Sequence, residues 1–144
     1  MKETAISFRF IDKNDILIIQ PLMQQLGNFS VPAPVLKERL LEMAQQNYEC
    51  FGVYDAEKLI GVCGLWFQTR HYAGRSLEVD HVIIDDAYRN HGIGKQLMEF
   101  VYDHARKKSC RWVELNAYVD NFPSHKFYYN QGFIAKGYHF VKEL

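Results

Sequence analysis

The stretch from Arg75 to Tyr118 limits what this chain can fold into more than any other. Arg75 to Ile84 is rich in Leu, Val and Ile and reads as a long strand. Asp85-Asp86 ends it, and a glycine-containing turn follows, Ala87-Tyr-Arg-Asn-His-Gly-Ile-Gly94. From there to about Lys107 the apolar residues Ile93, Leu97, Phe100, Val101 and Ala105 recur at helical spacing. Glu99, Asp103, Arg106 and Lys107 fall on the opposite side. Trp112 to Tyr118 is again strand-like. Two strands joined by a helix lie parallel, with a right-handed crossover. The spacing therefore predicts one parallel βαβ unit.

The residues before it follow a different pattern. Ala5 to Ile11 alternates Ile6, Phe8 and Phe10 with Ser7 and Arg9, the period of a half-buried strand. Asp15 to Leu26 carries Ile16, Ile19 and Met23 on one helical face, with Pro21 placed to kink or split it and Gly27-Asn28 to end it. Pro32 and Pro34 lead into a second helix with the stripe Leu36, Leu40, Met43 and Ala44. Glu49 to Tyr54 and Leu59 to Gln68, separated by Asp55-Ala-Glu-Lys58, predict a hairpin. After the βαβ unit, Asn121 to Asn130 reads as a short helix stopped by Gly132. Phe133 to Leu144 reads as one or two final strands turning near Gly137. No repeat, linker or low-complexity stretch interrupts this order, so the expectation is one α+β domain over residues 1–144.

Composition excludes several classes. The 144 residues carry 17 Lys+Arg and 17 Asp+Glu, a formal net charge of zero. That balance lacks the basic footprint of a nucleic-acid binder. At 48% apolar, the chain is too hydrophobic for disorder. Its apolar runs, such as Ile16 to Ile19, fall far short of the ~20 residues of a membrane span. Cys50, Cys63 and Cys110 are odd in number and far apart, which predicts packing rather than disulfides or a metal site. Met1-Lys-Glu-Thr-Ala-Ile has no apolar signal segment. The expectation is a cytoplasmic protein with no nucleic-acid or membrane partner.

The turn Arg89-Asn-His-Gly-Ile-Gly94 has a direct chemical meaning. Glycines allow positive φ and close approach of a ligand. Free N–H groups at a helix start attract phosphate oxygens, and an arginine adds a charge-assisted contact. The dinucleotide fingerprint fails, because Leu97 stands where its third small residue belongs. A Walker loop fails, because Gly94-Lys95 is followed by Gln96 and no glycine stands at position 89. The pattern R/Q-x-x-G-x-G/A fits at Arg89, Gly92 and Gly94. The bland alternative is a tight turn into a helix with no ligand.

Downstream stands Asn121-Phe-Pro-Ser-His-Lys-Phe-Tyr128-Tyr-Asn-Gln-Gly132-Phe133. With the glycine turn, this spacing closely resembles the Gcn5-related N-acetyltransferase (GNAT) superfamily, and the resemblance runs over nearly the whole chain. It implies an acyl-CoA N-acyltransferase fold: a mainly antiparallel twisted sheet with one central parallel βαβ unit and helices on both faces. It implies acetyl-CoA held where Arg75–Ile84 and Trp112–Tyr118 splay apart, usually at a β-bulge in the first strand. Val82, Ile83 and Ile84 would supply backbone contacts to the pantetheine arm. Arg89, Asn90, His91, Gly92, Ile93, Gly94 and Lys95 would hold the pyrophosphate, and Asn121 would contact the pantetheine. Tyr128 matches the tyrosine that lies near the thioester sulfur and acts as general acid. Tyr129, about 100° further round the helix, is assigned to core packing.

The implied mechanism is direct attack by an amine on the acetyl carbonyl, with a backbone N–H such as that of Val82 at the oxyanion. No metal is needed. Glu78, Asp80 and His81 lie on the strand beside the acetyl end, and Asp80 is nearest the acidic position often used as base. Plain alternation puts Glu78, Asp80 and Val82 on one face and His81 on the other, unless a bulge intervenes. The chain departs from the pattern at Asn90, His91, Pro123 and Ser124. Its short tail leaves the acceptor site either more open or completed by a second subunit, a homodimer.

The acceptor is not specified. Its walls would come from Leu26 to Pro34, Thr69 to Gly74 and the tail, with Phe29, Arg70, His71, Tyr72, Tyr138 and His139. The Ser124 to Phe133 stretch resembles small-molecule and aminoglycoside-type members, but no convergent carboxylates for a polycation stand out. A peptide amine stays open. So do two rival classes: a non-catalytic acyl-CoA-binding or regulatory module on the same fold, and an interaction domain without nucleotide.

Overall fold

The computed structural model describes residues 5–27 and 30–144. Asn28 and Phe29, expected at the end of the first helix and at the acceptor wall, lie outside them. The described residues fall in two compact units, divided after Glu114.

The first unit is built on a sheet in the order β1 (Ile6–Ile11), β2 (Tyr48–Asp55), β3 (Lys58–Arg70), β4 (Gly74–Ile84), β5 (Trp112–Leu115). β1 to β4 pair antiparallel in sequence order. β4, helix α3 (Ile93–Lys107) and β5 form the parallel βαβ unit, giving the expected mixed α+β sheet. The hairpin strands are each longer than the alternation alone predicts, because each gains a partner along its whole length.

The chain between β1 and β2 is split by Pro21, as expected. A 3-10 stretch covers Lys13–Ile19, and helix α1 (Gln20–Leu26) then starts with the proline in its first turn, where a missing N–H costs nothing. Helix α2 (Ala33–Ala44) follows. Ile16, Ile19, Leu40 and Ala44 pack with Tyr48, Cys50 and Val62 in one buried cluster. Its alternates Phe51, Val53 and Leu65 face the other way and are equally buried, with the Phe51 ring 4.7 Å from Phe100 of α3. So α1 and α2 cover one face of the sheet and α3 the other. Met98 joins the expected inward face of α3, whose apolar stripe is wider than the spacing alone suggests.

In the second unit, helix α4 (Phe122–Asn130) is capped by Asn121, whose Oδ1 accepts from the Ser124 N–H at 3.4 Å. It ends at Gly132, whose φ of +92° favours glycine. Two expectations fail. β5 stops at Leu115 instead of Tyr118, and residues 133–144 form no strand. Alternating apolar residues make a strand only where a neighbouring ladder accepts their backbone, and Tyr138, Phe140 and Val141 stay exposed.

Candidate active site

β4 carries the irregularity that the site depends on. Cys63 stands opposite Val82 and Leu65 opposite Val79, so Gly64 alone faces both Asp80 and His81. This is a β-bulge, and it sits in the strand where the resemblance places one. The extra residue reverses the alternation beyond it. Glu78 stands opposite Trp66, and Trp66 and Ile83 pack against the α1–α2 cluster. His81 joins that face, while Val82 goes to the α3 side. The strict assignment of Glu78, Asp80 and Val82 to one face, with His81 opposite, is therefore corrected. Asp80 is exposed at the bulge and Glu78 is half-buried.

The bulge also shows a cluster that the sequence reading missed. His81 Nε2 lies 2.5 Å from the Tyr48 hydroxyl. A Cβ on Gly64 would fall on the imidazole and come within 2.6 Å of that hydroxyl. Burial lowers the affinity of the His81 ring for a proton, against the opposing pull of Asp80. Burial likewise pushes the Tyr48 phenol far up, so it stays protonated. A glycine inside an apolar strand was the one signal available, since it marks a close approach.

Beyond the bulge, Val82, Ile83 and Ile84 pair with Cys63, Val62 and Gly61 of β3. The Arg111 N–H donates to the Arg75 carbonyl at 2.8 Å near the start of β4. Counting on in parallel from that pair, Glu114 comes level with Glu78, so these three residues lie past the first unit's part of β5.

The turn after β4 is held at both ends. The Tyr88 hydroxyl donates to Asp55 Oδ2 at 2.6 Å, tying the turn to the β2–β3 hairpin. Asp85 Oδ1 accepts from the Ala87 N–H at 3.0 Å. Asn90 and Gly92 take φ of +65° and +71°. Gly92 caps α3 with no side-chain hydrogen bond, so the first-turn N–H groups of Ile93, Gly94 and Lys95 are left to a ligand or solvent. Arg89 pairs with Asp86 at 2.8 Å, both well exposed, and is within the same turn. His91 is exposed. These features fit a diphosphate.

Tyr128 is half-buried on α4, with its ring 5.4 Å from Phe127 and 5.7 Å from Phe133. Tyr129 is 59% exposed, which overturns its assignment to core packing. Asn121 uses its carbonyl to cap α4, leaving the amide N–H₂ as its remaining polar group. Of the expected acceptor residues, Arg70 is paired with Glu114 at 2.5 Å, while Tyr72 and Tyr138 are strongly exposed. A separate cleft of about 480 Å³ between Phe10, Gln45, Glu49 and His104 contains none of the expected site residues. Among the described residues no cluster of His, Cys, Asp or Glu is placed to hold a metal ion.

Comparison with known proteins decides the family. The sequence model of the Acetyltransferase (GNAT) family matches residues 21–133. The chain belongs to this GNAT family. An uncharacterized N-acetyltransferase of Bacillus subtilis is 26% identical over 126 residues, 86% of this chain and 88% of that one. The aminoalkylphosphonate N-acetyltransferase of Salmonella typhimurium is 25% identical over 88 residues, 60% of this chain and 57% of that one. An aminoglycoside N-acetyltransferase solved in complex with CoA superposes with a TM-score of 0.81 at 18% identity, covering 99% of this chain and 97% of that one. The GNAT chain shares that fold, and its family activity is acetyl transfer from an acyl-CoA donor.

Proposed function

We propose that this GNAT protein, acting as one domain over residues 1–144, moves the acetyl group of acetyl-CoA to the primary amine of a small molecule or peptide. The observation that carries this reading is the uncapped start of α3 behind a left-handed Gly92. It offers N–H donors and the positive end of a helix dipole to the diphosphate of CoA. The β4 bulge leads into Val82–Ile84, whose backbone supports the pantetheine, with the Val82 N–H for the oxyanion. Tyr128 protonates the departing thiolate. The relatives named for an aminoalkylphosphonate and for aminoglycosides act on amine-bearing small molecules, which supports an acceptor of that class. The exposed tail residues support completion of the acceptor wall by a second copy.

The test has two readouts. Acetyl-CoA should raise the melting temperature by mass action, and thioester absorbance should fall when a panel of primary amines is added. A melting shift without turnover would mean an acyl-CoA-binding module. No shift at all would remove the nucleotide assignment.

A further inference from the structure

A single carboxylate joins three separate stretches of the chain. Asp55 ends β2 and stands opposite Lys58 across the tight turn into β3, where Ala56 takes a φ of +52°. Its two oxygens serve different segments. Oδ1 accepts from the Ala5 N–H, just before β1, at 3.0 Å. Oδ2 accepts from the Tyr88 hydroxyl at 2.6 Å, across 33 residues of sequence. That length is typical of a hydroxyl donating to an ionised carboxylate, which is a stronger bond than one between neutral groups. The carboxylate in turn pushes the Tyr88 phenol above its ordinary range, so the hydroxyl keeps its proton and stays a donor.

The place of this bond gives it a task. The sheet holds the chain as far as Asp85, whose N–H donates to the Ile60 carbonyl at 2.8 Å. Tyr88 closes the 3-10 turn Asp86–Tyr88 that follows. Arg89 to Gly92 come next, and all four are exposed. The ion pair of Arg89 with Asp86 stays within the turn and ties it to nothing outside. Asn90 and Gly92 both take left-handed backbone conformations, which for Asn90 is an uncommon state. An exposed segment with two such residues has many other shapes open to it. Buried Ile93 fixes its far end, and the Tyr88 hydroxyl fixes its near end.

We propose that Asp55, acting through Tyr88, is a positioning residue for the diphosphate of acetyl-CoA. This rests on the acetyltransferase reading above. Neither side chain has to touch the ligand. Asp55, on the hairpin, holds the Tyr88 hydroxyl, and Tyr88 holds the entry to the turn. The N–H groups of Ile93, Gly94 and Lys95 are then presented in a shape set before the ligand arrives, which lowers the ordering cost of binding. Without the bond the turn spends part of its time in shapes that do not bind. The apparent Kd then rises as the inverse of the competent fraction.

The experiment is calorimetry of CoA binding to the full chain, with kcat and KM for acetyl-CoA measured beside it. Tyr88→Phe keeps the ring and removes only the hydroxyl. It should raise the Kd for CoA and the KM by about tenfold, as for a turn that is competent a tenth of the time, and leave kcat unchanged. Asp55→Ala should raise the Kd at least as far. The double variant should be no weaker than Asp55→Ala alone, because both changes remove one shared bond. A wild-type Kd in Tyr88→Phe, a fall in kcat as large as the rise in KM, or losses that multiply in the double variant overturn the proposal and leave the acetyltransferase reading intact. Wild-type protein that binds no CoA overturns both. If Asp55→Ala fails to fold, Tyr88→Phe decides by itself.

Discussion

The His81 imidazole reaches across Gly64 to within 2.5 Å of the Tyr48 hydroxyl. β2 and β4 are not neighbours in the sheet, because β3 runs between them. The pair therefore bridges two strands over a third, and only a residue without a side chain can stand beneath it. The bulge supplies the other condition, since without its extra residue His81 would point toward α3.

Gly64→Ala should lower stability by about 1–3 kcal/mol, the usual cost of forcing extra volume into a packed site. The added methyl would meet the imidazole and the phenol together. Urea unfolding checks this as a fall in midpoint at constant slope. An unchanged midpoint would show that the ring and phenol can move aside freely.

Stability should also depend on the charge of His81. Its folded pKa is lowered by burial, below an unfolded value of about 6.5. As pH falls below that value, the unfolded chain takes the proton first. The neutral ring's contribution is therefore intact above pH 6.5 and is lost as pH falls toward the folded pKa. Urea midpoints between pH 7.5 and 5.5 should decline, and His81→Gln should flatten that decline. Parallel slopes in the two proteins would contradict the burial argument.

Gly92→Val separates folding from nucleotide binding. Nothing lies within 4 Å of a Cβ built there, so space is not the obstacle. The φ of +71° is, at about 1–2 kcal/mol or more for a β-branched residue. The domain should stay folded by circular dichroism and lose its melting shift with acetyl-CoA. Unchanged affinity would place the diphosphate elsewhere.

Tyr128→Phe keeps the ring contacts with Phe127 and Phe133 and removes only the hydroxyl. Turnover should fall by about 10²–10⁴-fold, the ordinary contribution of a general acid, with the acetyl-CoA melting shift retained. Tyr129→Phe, on the exposed side of α4, should leave turnover unchanged. The reverse pattern would transfer the acid role to Tyr129.

What the chain's own residues determined is local. The helical period after Gly94 marked α3, Pro21 marked the split before α1, and the Arg89-x-x-Gly92-x-Gly94 spacing marked the turn that now shows left-handed Gly92 and an uncapped helix. Each rests on contacts within a few residues, so pattern and propensity suffice to predict it. Tertiary structure decided the rest. Whether β4 bulges at Asp80–His81 depends on β3 presenting Gly64 opposite, on another strand and outside any local cue. His81 reaches Tyr48 only because two distant strands flank that glycine. Phe133 to Leu144 alternates like a strand yet forms none, since a strand is completed by its partner and not by its own sequence.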